Sequence, residues 1–183
     1  DSSNIARSKN DGYDIISTNG TAKNILTVGA ANLSSLIPTK ASEVSISNFT
    51  SWGPTDDGRI KPDVMAIGTS MFSTGVANDQ SYSTKSGTSM ASPQAAGSFY
   101  LIQQLYNRLN KNTFMLSSTL KAIAIHTALD METPGPDYKT GYGLIQLDKA
   151  AEVVQNKSAS HLLTESSLIQ GQIKTYTFVS SGK

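Results

Sequence analysis

Of the 26 serines in this chain, Ser89 is the one whose neighbours suit it for chemistry. It lies in the run Ser86-Gly-Thr-Ser-Met-Ala-Ser-Pro93. A small Gly-Thr pair precedes it, and a helical pattern begins with it. A hydroxyl at a helix N-terminus sits beside N–H groups that lack intrahelical partners, at the positive end of the dipole. There the serine's own N–H can help bind the oxyanion of a tetrahedral intermediate. The plainer reading is an ordinary Ser/Thr N-cap, and a lone Gly-x-Ser would favour it. The whole eight-residue run is what points to a nucleophile. Such a nucleophile needs a base, and the chain holds only His126 and His161. His126 sits in an apolar helical pattern and reads as a structural helix residue. His161 follows a change of character after Asn156, beside Leu162 and Leu163.

The order Ser89, Asp130 or Asp137, His161 would suit an α/β-hydrolase triad. Against it, Gly87-Thr-Ser-Met-Ala91 lacks the Gly-x-Ser-x-Gly elbow, and too little α/β sequence separates the serine from the histidine. Composition excludes other classes. The absence of cysteine removes disulfides, thiolate metal sites and a cysteine nucleophile. With a net charge of +1 and Arg59-Ile-Lys61 as the longest basic stretch, no nucleic-acid partner is expected. No stretch approaches the roughly 20 apolar residues that span a bilayer. Residues 1–20 have no apolar signal-peptide core. Asp56, Asp57 and Asp63 lack the spacing of a calcium loop, so no metal site is expected from them and no cofactor is identifiable.

The elements that must position Ser89 read as α/β. Ile25–Ala30 and Val64–Ile67 are short apolar runs closed by glycine, suited to buried parallel strands. Ser45–Phe49 alternates with period two, and Ser70–Thr74 extends or follows the second buried strand. A long helix starts near Ser89, with Ala91, Ala95, Phe99, Ile102, Leu105 and Leu109 on one face. Its small residues come first, so that end can approach its neighbours closely. Pro93, which lacks an N–H, belongs in the first turn. A second helix covers roughly residues 117–128, Gly141-Tyr-Gly143 makes a tight passage, and a third helix starts near Leu147. Residues 172–179 alternate as a strand.

These motifs, in this order, resemble the subtilisin-like serine proteases. Ser86–Pro93 is similar to the family's nucleophile motif. Asn24-Ile-Leu-Thr-Val-Gly-Ala30, Phe49-Thr-Ser-Trp-Gly-Pro54, Asp57-Gly-Arg-Ile-Lys-Pro-Asp-Val-Met-Ala-Ile-Gly68, Leu120–Ala128 and Gly141–Ile145 resemble further family segments. The resemblance covers about residues 12–155. It implies a subtilisin-like parallel sheet flanked by helices, and peptide-bond hydrolysis of polypeptide substrates. Ser89 would be the acylating nucleophile and its N–H an oxyanion donor. Thr88 would support the oxyanion site through its hydroxyl, and Gly87 would let the substrate carbonyl approach. Met90 would sit against the nucleophile, where oxidation should impair turnover. Ile67 departs from the family's usual proline before Gly68.

A subtilase orders its triad Asp, His, Ser, yet no histidine precedes residue 126. Asn10 matches the oxyanion asparagine poorly. The resemblance therefore implies that residues 1–156 are the C-terminal portion of a catalytic domain. Its partner would be the N-terminal part of the same domain, carrying the Asp, the His and the oxyanion Asn. Residues 157–183 would be a linker and the first strand or strands of a β-sandwich-like domain. The family also implies a secreted or cell-surface location and admits calcium, with no ligand set defensible here. The alternative is a non-catalytic pseudoprotease or interaction module that keeps the fold.

Overall fold

A computed structural model describes residues 10–157 and 159–179. Its centre is a three-stranded sheet in the order β2-β1-β3, built from β1 (Val28–Leu33), β2 (Val44–Ile46) and β3 (Val64–Ile67). β1 and β3 run parallel, from Val28 opposite Val64 to Ala31 opposite Ile67. β2 joins β1 antiparallel, with Ala31 opposite Ile46. A separate antiparallel hairpin pairs β4 (Met71–Thr74) with β5 (Tyr82–Lys85). Three helices follow: α1 (Thr88–Leu109), α2 (Ser117–His126) and α3 (Leu147–Gln155).

Successive strand residues point to opposite faces, and here both faces are covered. Ala30 and Ala66 meet Ala91 and Ala95 of α1 on one face, with Phe49, Phe99 and Ile145 around them. Ala31 and Met65 meet Val44, Met131 and Leu144 on the other. This is why the strand sequences read as unbroken apolar runs rather than alternating ones. Four alanines at the first contact bring the α1 backbone close to the sheet. Farther along α1, Ile102 joins Met115, Ile123, Ala150, Val153 and Val154 in a core between the three helices.

Several expectations shift. The first strand begins three residues later than the apolar run, because Thr27 bonds the approach to β3 through its N–H and carbonyl. Its predecessor Ile25 is substantially exposed. β2 stops at Ile46, and Phe49 turns in beneath α1. Leu109 does not share the buried face, because the last turn of α1 runs beyond the helical core. Pro93 lies in the second turn of α1, not the first. Hairpin strand β5, Tyr-Ser-Thr-Lys, had no apolar pattern to announce it. Among the described residues the expected strand 172–179 forms no ladder, and Ile173, Phe178 and Val179 are exposed. An alternating segment needs a neighbouring strand to pair with, and none of the described strands offers one. Residues 158 and 180–183 of that expected domain lie outside the described residues.

One polar tie stands out beneath the sheet. The Lys61 side chain is 3% exposed and donates to Asp63 Oδ2 at 2.5 Å and to the Ile25 carbonyl at 3.2 Å. The same Asp63 oxygen accepts the Thr27 N–H. One buried ammonium thus joins the entries to β1 and β3. Replacing it strands a carboxylate, which costs more than removing both partners. We expect Lys61→Met to lower unfolding stability by about 2–3 kcal/mol, and Lys61→Met/Asp63→Asn to recover about half of that. Urea unfolding of the three proteins checks this; a double variant weaker than the single one would contradict it.

Candidate active site

Ser89 is the second residue of α1 and is exposed. Gly87 precedes the helix with φ 157° and ψ 161°, a region that only glycine visits readily. Its carbonyl accepts the N–H groups of Met90 and Ala91 at 3.0 and 3.2 Å. The Ser89 N–H makes no hydrogen bond to any described residue. An unengaged donor thus lies beside an exposed hydroxyl, at the positive end of a 22-residue helix. This is the local geometry that a developing oxyanion needs.

The turn is held against the sheet from below. The Gly87 N–H donates to the Gly68 carbonyl at 2.7 Å, and the Ser70 N–H donates to Ser86 Oγ at 2.9 Å. Gly68 faces Ala30, the Gly87 carbonyl and Ala91 so closely that a Cβ there would overlap the first two. The closing glycine of β3 is therefore the joint on which the turn before Ser89 rests. The sequence marked Gly68 only as a strand end. Its role follows from the alanines opposite it, which a linear pattern does not reveal.

Beside Ser89 lies a cleft of about 360 Å³ between α1 and the hairpin. Ser89, Met90, Pro93 and Gln94 form one wall; Met71 to Thr74, Ser83 and Lys85 form the other. Lys85 is the one ionic group among these residues. Met90 thus shares a wall with the serine, while Gly87 and Thr88 stand behind it: Gly87 is buried and Thr88 half-buried. A larger, more apolar groove adjoins at Gln94, lined by Leu36, Ile37, Leu144 and Leu147.

Neither histidine reaches the cleft. His126 is exposed at the C-terminal end of α2, and His161 follows α3. The carboxylates that the hydrolase order would require are engaged in turns. Asp130 accepts the N–H groups of Met131 and Gly135, and Asp137 those of Lys139 and Thr140. Of the acids weighed as cation ligands, Asp63 is paired with Lys61 and Asp57 with Arg59. The Arg59 guanidinium and the Thr55 hydroxyl hold the Asp57 carboxyl down at about 2. Among the described residues no three His, Cys, Asp or Glu side chains cluster as metal ligands.

Known proteins agree with this architecture. The chain is 32% identical over 158 residues to the PII-type proteinase of Lactococcus lactis subsp. cremoris, covering 78% of this chain and 8% of that protein. It is 48% identical over 71 residues to the C5a peptidase of Streptococcus pyogenes, covering 39% of this chain and 6% of that one. The chain therefore spans less than a tenth of the length of these relatives. The solved structure of the Clostridium perfringens CspB protease superposes with a TM-score of 0.65 at 28% identity, over 79% of this chain and 30% of that one. Fervidolysin from Fervidobacterium pennivorans superposes with a TM-score of 0.55 at 24% identity, over 74% of this chain and 20% of that one. The subtilase family model matches residues 3–143. With parallel strands β1 and β3 backed by α1 and that match over most of its length, the chain belongs to the subtilase family.

Proposed function

We propose that this chain carries the nucleophile of a subtilisin-like serine endopeptidase. The observation that carries the reading is Ser89: an exposed hydroxyl with an unengaged N–H at a helix start, opening on a cleft. Ser89 Oγ attacks the scissile carbonyl of a polypeptide. A histidine from the N-terminal part of the same domain removes its proton, and an aspartate from that part orients the histidine. The oxyanion is bound by the Ser89 N–H and by an asparagine contributed from upstream. Thr88 supports that site, Gly87 leaves room for the carbonyl, and Met90 packs against the nucleophile. The intermediate collapses with cleavage of the C–N bond, the histidine returning the proton to the departing amine, and water activated by the same histidine then hydrolyses the acyl-enzyme to the acid and free Ser89. In this reading residues 1–156 belong to the catalytic domain, and residues 157–183 are the linker and opening strand of a β-sandwich-like domain. The reading includes a secreted or cell-surface location. Among the described residues no helix is long and apolar enough to cross a membrane.

The test is reconstitution. The 183 residues alone are expected to show no hydrolysis of a fluorogenic peptide above buffer. The same chain produced with its upstream segment is expected to hydrolyse it. Ser89-dependent hydrolysis by the isolated chain would overturn the outside base. An inert full-length protein with intact fold would favour the pseudoprotease reading.

A further inference from the structure

β3 has two edges. On one, the Val64 and Gly68 N–H groups turn toward β1 and its approach, reaching the carbonyls of Thr27 and Ala31. On the other, the Met65 N–H reaches the Gly143 carbonyl at 2.8 Å, and the Ile145 N–H returns to Met65 at 3.0 Å. The next donor on that second edge is the Ile67 N–H, and the strand partner ends before it. Its acceptor is a side chain: Gln94 Oε1 of α1, at 3.1 Å. A proline at position 67 would present no donor there. The isoleucine in this chain creates an N–H that needs a partner, and Gln94 supplies one.

The place of this bond matters. Pro93 has no N–H, so the Ser89 carbonyl lacks the donor that the fifth residue of a regular helical turn provides. One intrahelical tie is thus missing in the first turns of α1, just where Ser89 sits. Two successive residues at the end of β3 make up for it. Gly68 holds Gly87 on one side of the serine, and Ile67 holds Gln94 on the other. Within the helix, the Ser98 hydroxyl donates to the Gln94 backbone carbonyl at 3.0 Å and leaves the Gln94 amide oxygen to Ile67.

We propose that Gln94 is a positioning residue, whose amide oxygen clamps the nucleophile turn to β3 through the Ile67 N–H. The proposal rests on the reading of Ser89 as nucleophile. Gln94 touches no reacting atom; it acts by fixing the helix segment that aims the hydroxyl and the oxyanion donor. A misplacement of such groups by about 1 Å can cost about 100-fold in rate, so a partial loosening is visible in kcat.

The experiment is a double-mutant cycle on the full-length protease. Gln94→Leu keeps the volume and removes the acceptor; we expect kcat to fall about tenfold with KM within about twofold. Gln94→Glu keeps an acceptor and is expected within about threefold of wild type. In an Ile67→Pro background the donor is gone, and Gln94→Leu is expected to cost less than about twofold. An unchanged kcat in Gln94→Leu would overturn the proposal. So would an equal loss in both backgrounds, which would mean the residue acts without the bond. The rate of labelling by a fluorophosphonate, measured for Gln94→Leu below its unfolding temperature, reads the same effect without the proline variant. Full activity of Ser89→Ala would instead fault the nucleophile reading, so the two failures are separable.

Discussion

On the proposed function, Ser89→Ala in the full-length protein is expected to lower kcat/KM toward peptides by about 10⁴-fold or more, the scale of removing a serine nucleophile. Folding stability should stay within about 0.5 kcal/mol, because Ser89 is exposed and alanine favours helix. The contrast between the two numbers is the substance of the expectation. A serine that merely capped α1 would behave in the opposite way: its loss would cost about 1 kcal/mol of stability and little activity. The structure already argues against that role, since Gly87 holds the N-cap position and Ser89 is the second residue of the helix. The Gly87 carbonyl, not a hydroxyl, engages the N–H groups of Met90 and Ala91. The Ser89 side chain and N–H are thus left over by the fold. Steady-state kinetics beside thermal unfolding of both proteins checks the expectation.

The second large effect is expected at Gly68. A Cβ built there lies 2.6 Å from Ala30 Cβ and 2.9 Å from the Gly87 carbonyl oxygen. Neither neighbour can rotate away: one is a methyl on a central strand, the other is backbone. Gly68→Ala must therefore separate β3 from the turn before Ser89. Overpacking of this kind costs about 1–3 kcal/mol, and the displaced turn should lower kcat by about 100-fold. Gly97 supplies the internal comparison. It lies in α1 with nothing within 4 Å of an added Cβ. Gly97→Ala should stabilise the protein by up to about 1 kcal/mol and leave kcat unchanged. If Gly68→Ala proved as harmless as Gly97→Ala, the joint between sheet and helix would not position the serine.

How much of this could be read along the chain depends on the kind of contact. The helix start within Ser86–Pro93 announced itself, because a permissive glycine, small residues and a proline stand there in close succession. The buried strand at Val64–Ile67 and the helix face at Ala91, Ala95 and Ile102 were legible for the same reason: burial imposes a local period. The hairpin strand at Tyr82–Lys85 was not, since its residues are polar and it is held by pairing rather than burial. The strand expected at residues 172–179 was legible as a pattern, yet it makes no ladder with the described strands. Gly68, Lys61 and Gln94 escaped for a third reason. Their partners at Gly87, Ile25 and Ile67 come from other elements, and only the fold brings them together. A hint existed at Ile67, where the family's usual proline is replaced. It took the sheet edge to show that the change adds a donor and that α1 answers it.

The central claim is that Ser89 is the acylating nucleophile, and covalent labelling tests it most directly. The full-length protein is treated with a fluorophosphonate, digested, and the adduct located by mass spectrometry. The account predicts one adduct, on the peptide containing Ser89, that is lost in Ser89→Ala and slowed when the protein is unfolded. An adduct on another serine, or labelling of the alanine variant at the rate of the wild type, would contradict it.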